Sequence, residues 1–95
     1  DLFCGRGTLS LPLSRFAPVD GYEMDEPALG ALEIAAKKSQ RPIQGFYRDL
    51  FKTPLRDKEL ASYDVAVIDP PRAGALEQAQ ALATSDTPTV IYVSC

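Results

Sequence analysis

Eight of the 95 residues offer side chains or backbone freedom suited to ligand chemistry: Asp1, Gly5, Gly7, Glu23, Asp49, Asp69, Arg72 and Cys95. The opening stretch, Asp1-Leu2-Phe3-Cys4-Gly5-Arg6-Gly7-Thr8, joins an apolar pair to a Gly-x-Gly turn, and Leu9, Leu11 and Leu13 begin a helix behind it. A strand, a glycine turn and a helix bring backbone close to a nucleotide-like ligand. Gly5 and Gly7 permit angles and approach distances that a Cβ would block. The helix that follows points free N–H groups at the same place. Glu23 stands about 16 residues beyond Gly7, close to where a nucleotide-binding βαβ unit sets a carboxylate against ribose hydroxyls. Its two oxygens can accept from both O–H groups of a diol. Asp49 follows the third apolar run, where it can accept from an amine or cap the next helix. In Asp69-Pro70-Pro71-Arg72-Ala73-Gly74, two successive prolines stop a strand and stiffen the loop, so that Asp69 and Arg72 are held near its tip. Cys95 closes the last apolar run, a place where a cysteine on its own is a buried, inert residue.

Regular elements must hold these residues in place. Apolar runs at 2–3, 19–22, 43–47, 65–68 and 90–93 alternate with helical or connecting stretches. That alternation predicts an α/β fold, a parallel sheet with helices on both faces and right-handed crossovers. The first helix is expected over about 8–16, with a late or distorted entry because of Pro12. Asp25 is suited to cap the second helix, with Pro27 near its start, a stripe of Leu29, Leu32, Ala35 and Ala36, and Lys37 and Lys38 in its last turn. Glu33 and Lys37 are spaced as a pair on its solvated face. Thr53-Pro54 can open a short third helix. The run 65–68 reads as a fully buried strand. The stretch 76–83 reads as a helix with Leu76, Ala79 and Ala83 on one face.

Composition narrows the classes. At 95 residues the chain makes one domain at most, and it begins and ends inside apparent strands, as a piece of a longer protein would. It is 45% hydrophobic and 24% charged, as in ordinary globular domains. No apolar run reaches membrane-spanning length and no secretory pattern opens the chain, so a cytoplasmic location without membrane contact is expected. A net charge of −3 implies that any nucleic-acid partner is gripped mainly by other parts of the protein. Two cysteines and no histidine exclude a disulfide framework, a structural zinc site and a His-activated nucleophile, and no metal is expected.

The spelling of the motifs goes further. The third glycine of a dinucleotide fingerprint is replaced by Ser10, while an acid precedes the turn. Acid-x-x-x-Gly-x-Gly resembles the first motif of class I S-adenosylmethionine-dependent methyltransferases. Asp-Leu-Phe-Cys-Gly-x-Gly-Thr followed by Leu11-Pro12-Leu13, together with Asp-Pro-Pro-Arg-Ala-Gly at 69–74 and Ser-Cys at 94–95, resembles the RNA uracil-5-methyltransferase family. Arg72 stands where amino-directed DNA methyltransferases carry an aromatic, and no cysteine follows the prolines as in RNA cytosine-5-methyltransferases.

The resemblance implies that residues 1–95 are part of one Rossmann-like catalytic domain. Its sheet order is 3-2-1-4-5, counting 2–3 as the first strand, and the last strands lie beyond this stretch. It implies S-adenosylmethionine as cofactor, held by Asp1, Gly5, Gly7, Glu23 and Asp49, the last at the adenine amino group. It implies ribosomal or transfer RNA as substrate, Cys95 as a nucleophile that forms a covalent adduct with the uracil, and Asp69 and Arg72 as groups that orient the base. The general base matches no residue here. Cys4, by contrast, reads as packing. With strand 4 between them, the backbones of Cys4 and Cys95 fall about 10 Å apart, too far for a disulfide. Another class I methyltransferase, or a domain that binds S-adenosylmethionine or a nucleotide without turnover, remains the alternative reading.

Overall fold

The computed structural model describes residues 1–93. The chain runs α1 (Ser10–Leu13), β1 (Val19–Glu23), α2 (Glu26–Lys38), β2 (Ile43–Tyr47), α3 (Asp57–Ala61), β3 (Val65–Ile68), α4 (Leu76–Ala83), β4 (Thr89–Tyr92). β1 pairs in parallel with β2, Val19 opposite Ile43 through Glu23 opposite Tyr47. β3 pairs in parallel with β4, Val65 opposite Thr89 through Ile68 opposite Tyr92. The first expected strand contributes one residue: Leu2 forms parallel bridges to Tyr22 on one side and to Ile68 on the other. Its N–H donates to the Val67 carbonyl at 2.8 Å, its carbonyl accepts the Asp69 N–H at 3.3 Å, and the Asp1 carbonyl accepts the Tyr22 N–H at 2.9 Å.

Successive strand residues face opposite ways, which separates two layers of core. On the Gly21 side lie Cys4, Leu29 and Leu32, with Ile43 packed against them. This is the layer of α2. A Cβ at Gly21 would stand 2.9 Å from Cys4 Sγ and 3.2 Å from Leu32 Cδ2, so the absence of a side chain there lets helix and turn close on the strand. On the Tyr22 side, Leu2 and Ile68 meet Leu60 of α3 and Ala81 and Leu82 of α4. Helices therefore cover both faces, as the alternation predicted.

Several local expectations need correction. α1 is a single turn from Ser10 to Leu13, because Pro12 cannot continue a longer helix that began at Thr8. Asp25 occupies the N-cap position of α2, but its side chain makes no capping bond; the Glu23 carboxylate takes the Asp25 N–H instead. Glu33 and Lys37 form no ion pair among the described residues. Thr53 and Pro54 open no helix; α3 starts at Asp57, because both carbonyls accept from Arg48. β3 is not buried throughout, since Val65 is 49% exposed. α4 turns its other face inward: Leu76 is 71% exposed, while Gln78, Ala81 and Leu82 are buried.

Two polar clusters fix the connections. The Tyr63 hydroxyl donates to Asp20 Oδ2 at 2.6 Å and lies 2.7 Å from the Tyr22 hydroxyl, which ties the end of α3 to β1. Burial and the bond to Asp20 raise its pKa. Arg48 donates to the Thr53 carbonyl at 2.8 Å and the Pro54 carbonyl at 3.1 Å, and grips both Glu59 oxygens at 2.6 and 2.9 Å.

Two outcomes follow for stability. Leu32 of α2 is fully buried against the glycine turn and β1, so Leu32→Ala should cost about 2–5 kcal/mol in urea unfolding. Arg48 holds the Glu59 carboxyl below its ordinary value of 4.5, chiefly through their hydrogen bonds. The depressed folded pKa means that this contribution is present above the ordinary value and is lost as pH falls through the folded one. Glu59→Gln should therefore cost little, about 0.2–1 kcal/mol at neutral pH for a pair this exposed, and the difference from the parent should vanish in acid.

Candidate active site

The carboxyl ends of parallel strands, with the loops beyond them, form one edge of the sheet, where α/β proteins bind ligands. The glycine turn sits at its centre because Leu2 is bonded into both strand pairs. Gly5 and Gly7 have φ of 54° and 94°, and Gly7 N–H closes the turn onto the Cys4 carbonyl at 3.0 Å. A Cβ at Gly7 would collide with Leu32 Cδ1, whereas one at Gly5 would meet open space. Phe3 also takes a left-handed φ, 62°, which costs a residue with a Cβ about 1–2 kcal/mol. Strain of this kind collects at ligand sites.

Glu23 locks the turn to the end of β1. Its Oε1 accepts the Gly5 N–H at 2.9 Å, and its Oε2 accepts the N–H groups of Met24 and Asp25 at 3.0 and 2.9 Å. A carboxylate has about four acceptor sites, so one remains on Oε1 for a further donor. The Glu23 carbonyl accepts the Arg48 N–H at 3.0 Å, which brings residues 48–51 alongside. There Asp49 Oδ1 accepts the N–H groups of Phe51 and Lys52 at 3.0 and 3.2 Å. These bonds close a turn over residues 49–52 and cap no helix, since α3 starts at Asp57, and they engage one carboxylate oxygen. Phe51 packs on Phe3 with ring centroids 5.3 Å apart, closing the turn against the Asp49 segment.

Asp69 lies beside the turn, its N–H bonded to Leu2. The loop after it bends at Gly74, whose φ is 82° and whose N–H donates to the Pro71 carbonyl at 2.8 Å; Arg72 in that bend is exposed. Val93 N–H donates to the Ile68 carbonyl at 2.9 Å, so the chain leaving β4 passes next to the strand that delivers Asp69. Cys95 lies outside the described residues. Gly5, Gly7, Glu23, Asp49 and Asp69 are thus brought to one edge.

Asp1 differs. Its Oδ2 accepts the Ser10 hydroxyl at 2.6 Å, anchoring α1, and its Oδ1 is buried with no hydrogen-bond partner among the described residues. It also borders a cavity of about 470 Å³ between Val19 and Val65, at the amino end of the strands and away from the glycine turn. Cys4 is buried and unpaired among the described residues. Burial first, and then the Glu23 charge, push its thiol up to about 11, so it stays protonated at neutral pH. That agrees with a packing role.

Arg48, Phe51 and Gln78 were not singled out by sequence. Arg48 and Phe51 immediately flank Asp49 and Leu50 after a strand, which is the one local signal they offered. Among the described residues, no three His, Cys, Asp or Glu side chains cluster as metal ligands would. None of the described helices is long and apolar enough to cross a membrane.

No family model matches the chain. Known proteins do. The chain is 46% identical to an uncharacterised RNA methyltransferase of Agrobacterium fabrum, with all of this chain and 23% of that protein aligned. It is 38% identical to the 23S rRNA (uracil(1939)-C(5))-methyltransferase RlmD of Shewanella sediminis, again over its whole length and 22% of the relative. Among solved structures, a Pyrococcus abyssi tRNA (uracil-54, C5)-methyltransferase in complex with S-adenosyl-L-homocysteine superposes with a TM-score of 0.85 at 23% identity, covering all of this chain and 24% of that one. At that identity the likeness establishes a shared α/β fold. The chain spans about a quarter of the length of the curated relatives it matches. Over its whole length the chain is similar to one segment of proteins named as RNA methyltransferases, one of them a uracil-5-methyltransferase.

Proposed function

We propose that the protein to which this chain belongs methylates carbon 5 of a uridine in RNA, with S-adenosylmethionine as donor. The observation that carries the reading is the Glu23 carboxylate, which binds the Gly5 N–H and the turn after β1 together, with Asp49 and Asp69 on neighbouring loops. The relatives' names point the same way. For the sheet, the two bridges of Leu2, with β2 beyond β1 and β4 beyond β3, support the order 3-2-1-4-5.

The residues present fit the donor. Gly5 leaves open space where a side chain would stand, and Glu23 keeps an acceptor site. In this reading Gly5 and Gly7 admit the ligand close to backbone, and Glu23 takes a ribose hydroxyl. Asp49 offers its second oxygen to the adenine amine. Asp1 acts from below the turn: it fixes α1 through Ser10 and keeps an oxygen that has no partner among the described residues. The donor would supply an electrophilic methyl group on a sulfonium sulfur.

The chain's own chemistry is assigned to Cys95. Its thiolate adds to carbon 6 of the uracil, forming an S–C bond and making carbon 5 nucleophilic. After carbon 5 is substituted and its proton removed by a base outside this chain, the S–C bond breaks and the thiolate is regenerated. Asp69 and Arg72 orient the base, which must leave its stack to arrive. With a net charge of −3, this segment leaves most of the RNA grip to the rest of the protein.

In the whole protein, Cys95→Ala should abolish methyl transfer and the covalent adduct with 5-fluorouridine RNA that the parent forms, both read by mass spectrometry. Undiminished turnover would remove Cys95 from the chemistry. Glu23→Ala leaves three N–H groups without their acceptor and should weaken S-adenosylmethionine binding about tenfold or more by calorimetry. Unchanged affinity would place the donor elsewhere.

A further inference from the structure

α4 follows the Asp69 loop and buries a polar side chain where a helix of this kind ordinarily buries an aliphatic one. Gln78 has no exposed surface. Its amide nitrogen donates to the Leu55 carbonyl at 2.9 Å and its amide oxygen accepts the Leu55 N–H at 2.8 Å. The pair is reciprocal, so the chemistry of Leu55 fixes which end of the amide is which. Both partners are buried, Leu55 at 1% exposure.

Such a bond satisfies the buried N–H and carbonyl of Leu55, which an apolar filling would leave unpaired. What it adds is position, because one amide and one backbone unit match in a single geometry. Leu55 ends the segment that Asp49 opens, and Arg48 fixes the middle of that segment through the Thr53 and Pro54 carbonyls. The segment is therefore tied to β2 through Arg48 and, through Gln78, to the helix that carries the Asp69 loop.

We propose that Gln78 is a positioning residue for the donor site: through Leu55 it sets where Asp49 stands relative to the glycine turn and the Asp69 loop. The proposal rests on the reading that Asp49 meets the donor. Gln78→Met keeps length and bulk but strands the Leu55 N–H and carbonyl. In the whole protein it should weaken S-adenosylmethionine binding about tenfold by calorimetry. Asp49→Ala should weaken it as well, and Gln78→Met added to Asp49→Ala should cost nothing further, because the two act along one line.

A residue that merely packs would leave the affinity of Gln78→Met unchanged while lowering its unfolding temperature, or would cost the same in both backgrounds; either result overturns the proposal. So would an Asp49→Ala variant that binds as the parent does. If Gln78→Met does not fold, Gln78→Glu, which keeps the acceptor for the Leu55 N–H, carries the same cycle. A parent protein that binds no S-adenosylmethionine would sink the donor reading itself. A parent that binds, with Gln78 variants that bind equally well, would sink this inference alone.

Discussion

The backbone of one residue joins the two halves of this structure. Leu2 is bridged to Tyr22 and to Ile68, so that β1 with β2 and β3 with β4 meet across it. Because both bridges are parallel, every strand presents its carboxyl end on the same edge. The chain that leaves Leu2 must turn at that edge, between the ends of β1 and β3. A turn in so tight a place needs left-handed backbone, supplied by Gly5, Gly7 and, against its own preference, Phe3. The location of the candidate site is thus a consequence of where one short central segment is stitched.

Glu23 converts that location into a defined geometry. Without it the Gly5 N–H would lose its tie to the end of β1. With it, N–H groups from the turn and from the start of α2 converge on one carboxylate. The same residue's carbonyl holds Arg48, whose guanidinium shapes the loop that follows. One side chain and one backbone group therefore organise both flanks of the turn, and a ligand there would meet groups that are already oriented.

Much of this was legible beforehand because it depends on local rules. Apolar runs located the strands, Gly-x-Gly located the turn, and Pro70-Pro71 located the end of β3. Glu23 was singled out from its distance to Gly7, but its bond to the Gly5 N–H was not, since it joins residues 18 apart in sequence. Asp49 shows the opposite case: its bonds are purely local, to the Phe51 and Lys52 N–H groups, but they close a turn and cap no helix, because the next helix starts at Asp57. Apolar spacing misjudged α4. It placed Leu76 inward, where the structure buries Gln78, because the decisive partner is the backbone of Leu55 and backbone leaves no mark in sequence. Val65 reads as buried by composition yet is exposed, since burial depends on neighbours that a strand's own letters do not name.

The central claim is that a methyl donor lies at the carboxyl edge against the Gly5 turn and Glu23. Hydrogen exchange of the whole protein with and without S-adenosylmethionine tests it most directly. The account predicts slowed exchange confined to the backbone around Gly5 and Gly7, Met24 and Asp25, and Phe51. Slowing centred instead on Val19, Tyr63 and Val65, which line the cavity at the opposite edge, would contradict it.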